Sequence, residues 1–522
     1  MRIAAMVVLA MSLVACGGTK PPTPPTGKFS NASLNGQYAF LMSGIDLSGG
    51  YFAQSGSFTA DGDGHITGGL EDVVQLSTGQ PATTVAITGG NYQVQSNGNG
   101  TMTLNYEGGS LGMSFVLQST SSGYAVQTDL NAATNGSFNL QSSANFTAGA
   151  LATPYVFNLY GVSLANAQSA PISMIGQVVA NGSGVISSGL MDTNGGNPAA
   201  ASGATPITPG TYALDTNGNG TNFGRGMMTF NGRTYAFYIV DNTHFKMVEE
   251  DKLGGSAGEA LQQTASIPTK NSQFTGGFVY LTAGASTLGT EGPDARVARF
   301  TSDGNGNIGA VSLDDNNNGK YTHISQGGNI SAATYAIDTA NAGSGRGGFT
   351  FAASGDGTFV DVFYMISSTQ GVVQELSKGL VSAGPIYAQN PGPFTLSGSA
   401  GTFVTDWSGV QLGGLGSSTA IAPFQEEFVG QYVLANTSSS NIGGQIDYVE
   451  FGLTSKTLFP TETLAGTLTI HDDGTTNNHY QYGVNGSPSI TVNFEAYFVN
   501  PQMLLMVTSD DKRTTSGIVF PQ

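Results

Sequence analysis

The sequence predicts an all-β protein: four tandem antiparallel β-domains of about 120 residues, each a small up-and-down barrel, with a two-sheet β-sandwich as the alternative. Three observations predict it. Runs with period-two alternation and β-branched or aromatic enrichment recur throughout, separated by Gly, Asn, Asp and Ser turns. Four landmarks repeat with a period of about 120 residues. Sustained helical periodicity is absent, and only Gly258 to Thr264 suggests a short helical turn.

Size and composition agree with this reading. A chain of 522 residues exceeds what one core supports, since single cores stop growing near ~250 to 300 residues. Hydrophobic residues make up 39% and charged residues 10%, so Gly, Ser, Thr and Asn must build the solvated face. Such a surface suits β-domains outside the cytoplasm. Lys and Arg number 16 against 34 Asp and Glu, for a net charge of −18. With no basic stretch to neutralise phosphates, nucleic acid is excluded as an expected partner.

Residues 1–15 read as a secretory signal: Met1-Arg2, an apolar run from Ile3 to Val14, then small residues before Cys16. The run is too short to span a ~30 Å bilayer comfortably. Leu13-Val14-Ala15-Cys16 resembles the lipobox of bacterial lipoproteins. The resemblance implies cleavage before Cys16 and lipidation of its thiol and new amino group, and Gly17 after it implies sorting to the outer membrane. Cys16 is the only cysteine, so no disulfide partner competes for it. Residues 16–28 form a Pro-rich tether, extended at ~3.1 Å per residue. Lipobox, tether and Gly-rich copies together resemble exported lipoproteins of acidobacteria, a resemblance that names no activity.

The copies are placed at 29–145, 146–268, 269–392 and 393–522. The first landmark is an opening strand: Leu34 to Phe40, Pro154 to Phe157, Phe274 to Tyr280, and Phe394 to Trp407. The second is a Gly/Asn/Asp turn beginning at Asp61, Asn181 and Asp303; the fourth copy departs from it and places Tyr432 to Tyr448 there. The third is a strand that enters another glycine turn, carrying Tyr92, Tyr212, Tyr335 and Leu468. The last is an alternating hairpin whose closing strand ends at Gln141, Gln263, Gln389 or Gln522. Asn-Gly and Asp-Gly turns favour tight hairpins, hence up-and-down topology. In Thr234 to Asp241 both faces are apolar, which places that strand between two packed layers or at a domain contact. A propeller would need a repeat near ~40 to 50 residues, and none is seen.

Motifs with chemistry are weak. Gly108 to Gly112 fits G-x-S-x-G but lies between two alternating strands instead of strand and helix, so it reads as a loop. Gly304 to Gly309 and Gly343 to Gly348 fit G-x-G-x-x-G, yet neither opens a helix that would hold a pyrophosphate. Asp215, Asn217 and Asn219, and again Asp314, Asn316 and Asn318, have the oxygen-donor spacing of a calcium loop. The bidentate Glu of an EF-hand is replaced by Gly226 and Ser325. His65, His244, His323, His471 and His479 are read as solvated loop residues. Glu249-Glu250-Asp251 and Glu426-Glu427 are read as solvated strand ends in different copies.

The expected function is non-enzymatic. A tethered array of β-domains would serve envelope structure, adhesion or capture of an extracellular macromolecule, and loss of one copy would weaken attachment by degrees. A second expectation is a carrier holding a small apolar ligand inside each barrel, lined by Phe237, Met247, Phe363 and Met365. A third is a secreted hydrolase with a site assembled between domains. No cofactor is expected beyond structural calcium at the two Asp/Asn loops.

Overall fold

The computed structural model describes residues 28–522 apart from 79–81, 165–168, 197–201, 216–222, 288–291, 326–327, 354–356, 378, 413–423, 436–440, 453–454 and 485–486. Cys16, the signal and most of the tether lie outside the described residues, as do Asn217 and Asn219.

The chain forms four antiparallel barrels in tandem. In the first, eight strands from Asn35–Asp46 to Ala132–Leu140 pair in chain order, and the last pairs with the first. The fourth closes the same way between Gly401–Gln411 and Arg513–Pro521. The second closes where Ala170–Ala180 pairs with Val185–Gly195, and Ser202–Pro206 hangs on the outside of that cycle. The third has the same plan with Lys320–Ser325 appended, and the gap in its cycle is spanned by one bridge between Asn307 and Thr334. Closure removes the open edges that invite aggregation. The barrels are closed or, in the third, nearly closed cycles and not paired-sheet sandwiches. Gly258 to Thr264 does not form a helical turn: through Gln262 it belongs to the closing strand Gly254–Gln262, held by pairing with Pro154–Ser163.

Eight strands leave an interior just wide enough for side chains, and aromatics fill it. Tyr38, Phe40, Phe58, Phe115 and Phe138 pack the first barrel. Phe278, Phe300, Phe349, Phe351 and Phe363 pack the third. Trp407 sits 1% exposed among Phe428, Tyr448 and Phe494 in the fourth. Phe237 and Met247 in the second barrel, and Phe363 and Met365 in the third, are completely buried core residues. They pack against protein instead of lining an open ligand chamber.

One end of the first three barrels is capped by a repeated device. The phenol of Tyr92 donates to the carbonyls of Asn31 and Leu34, Tyr212 to Ala148 and Leu151, and Tyr335 to Asn271 and Phe274. Beside it, Asp61, Asn181 and Asp303 each accept two backbone N–H groups across their turn. Hydrogen bonds led by the His65 N–H hold Asp61 down to about 2. Asp303 falls to about 2 in the same way, chiefly through Asn307. The landmark turns are thus satisfied internally.

The four barrels close into a ring. The glutamine ending each closing strand donates both amide hydrogens to the next barrel. Gln141 reaches Phe223 O (3.0 Å) and Ile239 O (2.6 Å), and Gln263 reaches Ser344 O (2.8 Å) and Met365 O (2.7 Å). Gln389 reaches Asp473 O (3.2 Å) and Phe498 O (2.7 Å). Gln522 of the fourth barrel reaches Asn97 O and Leu117 O of the first, both at 2.9 Å. Apolar clusters outside the cores accompany these bonds. Ala53 and Val74 meet Ala236 and Val248; Val156 and Ile175 meet Val362 and Ile366. Val279 and Val297 meet Val499 and Leu505; Val116 and Val126 meet Val404 and Val429. The strand Arg233–Asp241 explains its two apolar faces: Tyr235, Phe237 and Ile239 enter the core, while Ala236, Tyr238 and Val240 face the first barrel.

Candidate binding site where the four barrels converge

The opening strand of every barrel contributes to one cleft of about 420 Å³, lined by residues of all four. Gly44, Gly284 and Gly409 of the opening strands line it, and Gly161 lies between the lining residues Tyr160 and Val162. A Cβ at these positions would lie 2.0 to 2.2 Å from a carbonyl oxygen of the closing strand, so no larger residue fits. Ile45, Val162, Val410, Pro171 and Pro293 supply apolar wall, and Tyr51, Asn135, Asp294, Gln425 and Glu427 supply polar groups.

Carboxylates gather around this convergence. Asp294 is 1% exposed and pushed up to about 8 by burial and by the nearby charge of Asp315. Glu427 is also 1% exposed; its Oε1 accepts from Gln425 Nε2 (2.7 Å), and burial raises it well above the usual carboxylate range. Asp406 accepts from Asn135 of the first barrel (3.0 Å) and is pushed up to about 7 by burial. Glu259 behaves oppositely. Burial opposes its charge, yet Lys246 and His244 together hold it well below the usual range. Ser137 of the first barrel also donates to it (3.2 Å).

Two of the acidic clusters depart from the sequence expectation. Glu249, Glu426 and Glu427 are not solvated strand ends; they are 0%, 1% and 1% exposed. Glu249 pairs with Arg233 and accepts from Ser256 (2.7 Å), and Glu426 faces Arg513 at 3.6 Å. They are buried because the barrels pack side against side, which turns strand surface into interior.

The calcium-spaced residues also take part in contacts between barrels. Asp215 accepts from Arg225 (2.6 Å), whose guanidinium clamps Asp72 of the first barrel through Nε (2.7 Å) and Nη2 (2.8 Å). Asp314 accepts from Tyr497 of the fourth barrel and from Tyr321 (2.6 Å) and His323 (2.7 Å). Asn316 donates to Thr508 O, Asp510 O and Arg513 O of the fourth barrel. Asn318 occupies the tight turn at φ 52°. Asp314 and Asn316 lie on the strand Ile308–Asn317, two residues apart, and serve different partners.

Of the histidines, His65 pairs with Asp61 (2.9 Å), His244 with Glu259 (3.1 Å) and His323 with Asp314 (2.7 Å). His471 lines a cleft of about 580 Å³ with His323, Asp314 and Glu495. The side chain of His479 lies outside the described residues. Glu107 and Gly108 form the turn between Asn99–Tyr106 and Gly109–Ser119, and exposed Ser110 is the second residue of the latter strand. Gly304 to Gly309 crosses a hairpin, and Gly343 to Gly348 joins a short 3₁₀ turn to a strand.

No family model matches the chain, and no curated protein matches it. Among solved structures it is similar to the isotype 1 transferrin binding protein B of serogroup B Neisseria meningitidis, at 10% identity over 76% of this chain and 82% of that one, with a TM-score of 0.22. It is also similar to a mutant of the vaccine antigen transferrin binding protein B of Haemophilus parasuis, at 11% identity over the same shares, with a TM-score of 0.17. Scores of that size establish no common fold.

Proposed function

We propose that the protein is a non-enzymatic, envelope-tethered scaffold whose four fused barrels present one surface to an extracellular macromolecular partner. The observation that carries this reading is the bond pair from Gln522 to Asn97 and Leu117, which joins the last barrel to the first. A ring fixes the relative positions of loops from four domains, so a partner meets a preorganised surface and less ordering entropy opposes binding. Packed cores favour this reading over carriage of an apolar ligand in every barrel. Lipidation at Cys16 and a place on the outer membrane belong to the same proposal, on the strength of the lipobox resemblance and the Pro-rich tether.

The test is binding of labelled protein spanning residues 28–522 to intact envelopes. Saturable binding, competed by unlabelled protein and weakened by Gln522→Ala, is expected. In the full-length chain, Cys16→Ala should move the protein from the membrane fraction to the soluble one. Turnover of an ester, peptide or glycan by the purified protein, or an absence of saturable binding, would overturn the proposal.

A further inference from the structure

The first barrel differs from its sisters at one inward position. Strand pairing places Glu71 opposite Gly56, where the second barrel has Met191 opposite Gly176, the third Leu313 opposite Ala298 and the fourth Ile446 opposite Gly430. Met191, Leu313 and Ile446 are members of their barrel cores. Glu71 is as buried as they are, at 1% exposure, and its Oε2 has no hydrogen-bond partner. An unpartnered carboxylate oxygen taken out of water is costly, and an apolar residue there would avoid the cost, as three sister barrels demonstrate.

Space accompanies the unpaired group. A cavity of about 430 Å³ opens at the mouth of this barrel opposite the Tyr92 cap, within the ~300 to 1,000 Å³ range of small-molecule sites. Glu71 lines it together with Phe52, Val73, Val85, Tyr106 and Gln127. Gln127 is already committed: its amide donates to both oxygens of Asp129 at 3.0 Å and its carbonyl accepts from Thr134 at 3.0 Å. Of the residues lining the cavity, Glu71 is the one whose buried oxygen has no hydrogen-bond partner. Burial, then the charges of Asp72 and Asp129, push it up to about 8, so the mouth favours positive charge and at pH 7 holds a proton that a cation would replace. Among the described residues no group of three His, Cys, Asp or Glu is placed to hold a metal ion. A lone buried carboxyl beside apolar walls suits an organic cation.

We infer that the mouth of the first barrel is a binding site for a small amphipathic amine, whose ammonium pairs with Glu71 and whose apolar stem packs between Phe52, Val73, Val85 and Tyr106. The ammonium supplies the donors that Oε2 lacks, and charge-assisted pairing in a recessed site is stronger than at the surface. Because Glu71 holds its proton more tightly than an ordinary carboxyl, binding at pH 7 expels it. The reaction then releases about one proton per ligand.

The experiment is isothermal titration of the intact 28–522 protein with hexylammonium, and with hexanol and hexanoate as matched probes, in buffers of differing ionisation enthalpy. Hexylammonium is expected to bind at least tenfold more tightly than hexanol, with hexanoate not binding and with proton release at pH 7. Glu71→Gln should lose at least tenfold in affinity. Glu71→Leu, which copies the third barrel, should abolish binding while keeping the fold. Equal binding of hexanol and hexylammonium, no binding at all, or unchanged affinity in Glu71→Gln would overturn the site. None of these outcomes bears on capture of a macromolecule by the ring.

Discussion

At the scale of single residues, the contacts between barrels depend on a few buried polar groups. Arg225 clamps Asp72 through two nitrogens, and Tyr238 donates to the same carboxylate at 2.7 Å. The Asp72 side chain has no exposure, so removing the guanidinium leaves a buried charge facing one phenol and Thr84. Arg225→Met is expected to destabilise the protein by about 3 to 5 kcal/mol, the usual cost of breaking one side of a buried pair. Arg225→Met combined with Asp72→Leu should recover most of that loss, read by urea denaturation. A change below about 1 kcal/mol for the single variant would mean that the pair does not hold the barrels together. The sequence does not announce this pair, because its members lie in different copies, 153 positions apart. The closing glutamines were legible as landmarks, but not as latches, because their acceptors are backbone carbonyls that any residue provides.

At the scale of elements, the same ladder position is filled differently at each contact. Arg225 pairs across its hairpin with Tyr238, and Arg346 with Tyr364; Thr475 pairs with Tyr497, and Asn99 with Val116. Arg346 repeats the clamp, on Asp192, at 2.7 and 2.8 Å. Between the third and fourth barrels Thr475 holds the arginine's ladder position; Tyr497 of the fourth barrel donates to Asp314, and Tyr321 and His323 of the third barrel itself donate to the same carboxylate. The hydrogen bond to Asp314 raises His323 above its ordinary value, against the opposing effect of burial. A raised histidine stabilises the folded state fully below its unfolded pKa near ~6.5, and that contribution is lost as pH rises through the folded value. Glu495 beside it is pushed up to about 7 by burial, then by Asp314. Its folded state binds the extra proton, so stability again falls as pH climbs from the ordinary carboxyl range through 7. Both signs agree: this contact weakens on the alkaline side. His323→Gln should flatten the decline in melting temperature between pH 6 and 8. An unchanged slope would remove His323 from the account. Strand existence and hairpin topology were legible here because alternation and turn chemistry are local properties. The difference between an arginine clamp and a histidine one became meaningful only once the ladders aligned the copies.

At the scale of the whole molecule, four repeats in a row are compatible with a flexible string or with a closed ring, and periodicity does not distinguish them. The distinction lies in residues that are apolar on both strand faces, of which Arg233–Asp241 gave the one clear sign. It lies also in acids such as Glu427, buried by a neighbouring barrel and not by their own. The ring changes what loss of a copy should do. A string would lose avidity by degrees. In the ring, deleting residues 393–522 removes two contacts together. It uncovers Val279, Leu281 and Val297 on the third barrel, and Val116, Val126 and Ala133 on the first. Each set forms an apolar patch on a closed barrel wall, and such patches drive association when left in water. The shortened chain, residues 28–392, is therefore expected to self-associate and to melt at a lower temperature than the full ring, with its envelope binding lost abruptly. Light scattering after size exclusion decides the matter. A monomer with unchanged melting would mean that the contacts between barrels contribute little, that the domains act as independent beads, and that the preorganised surface on which partner capture rests does not exist.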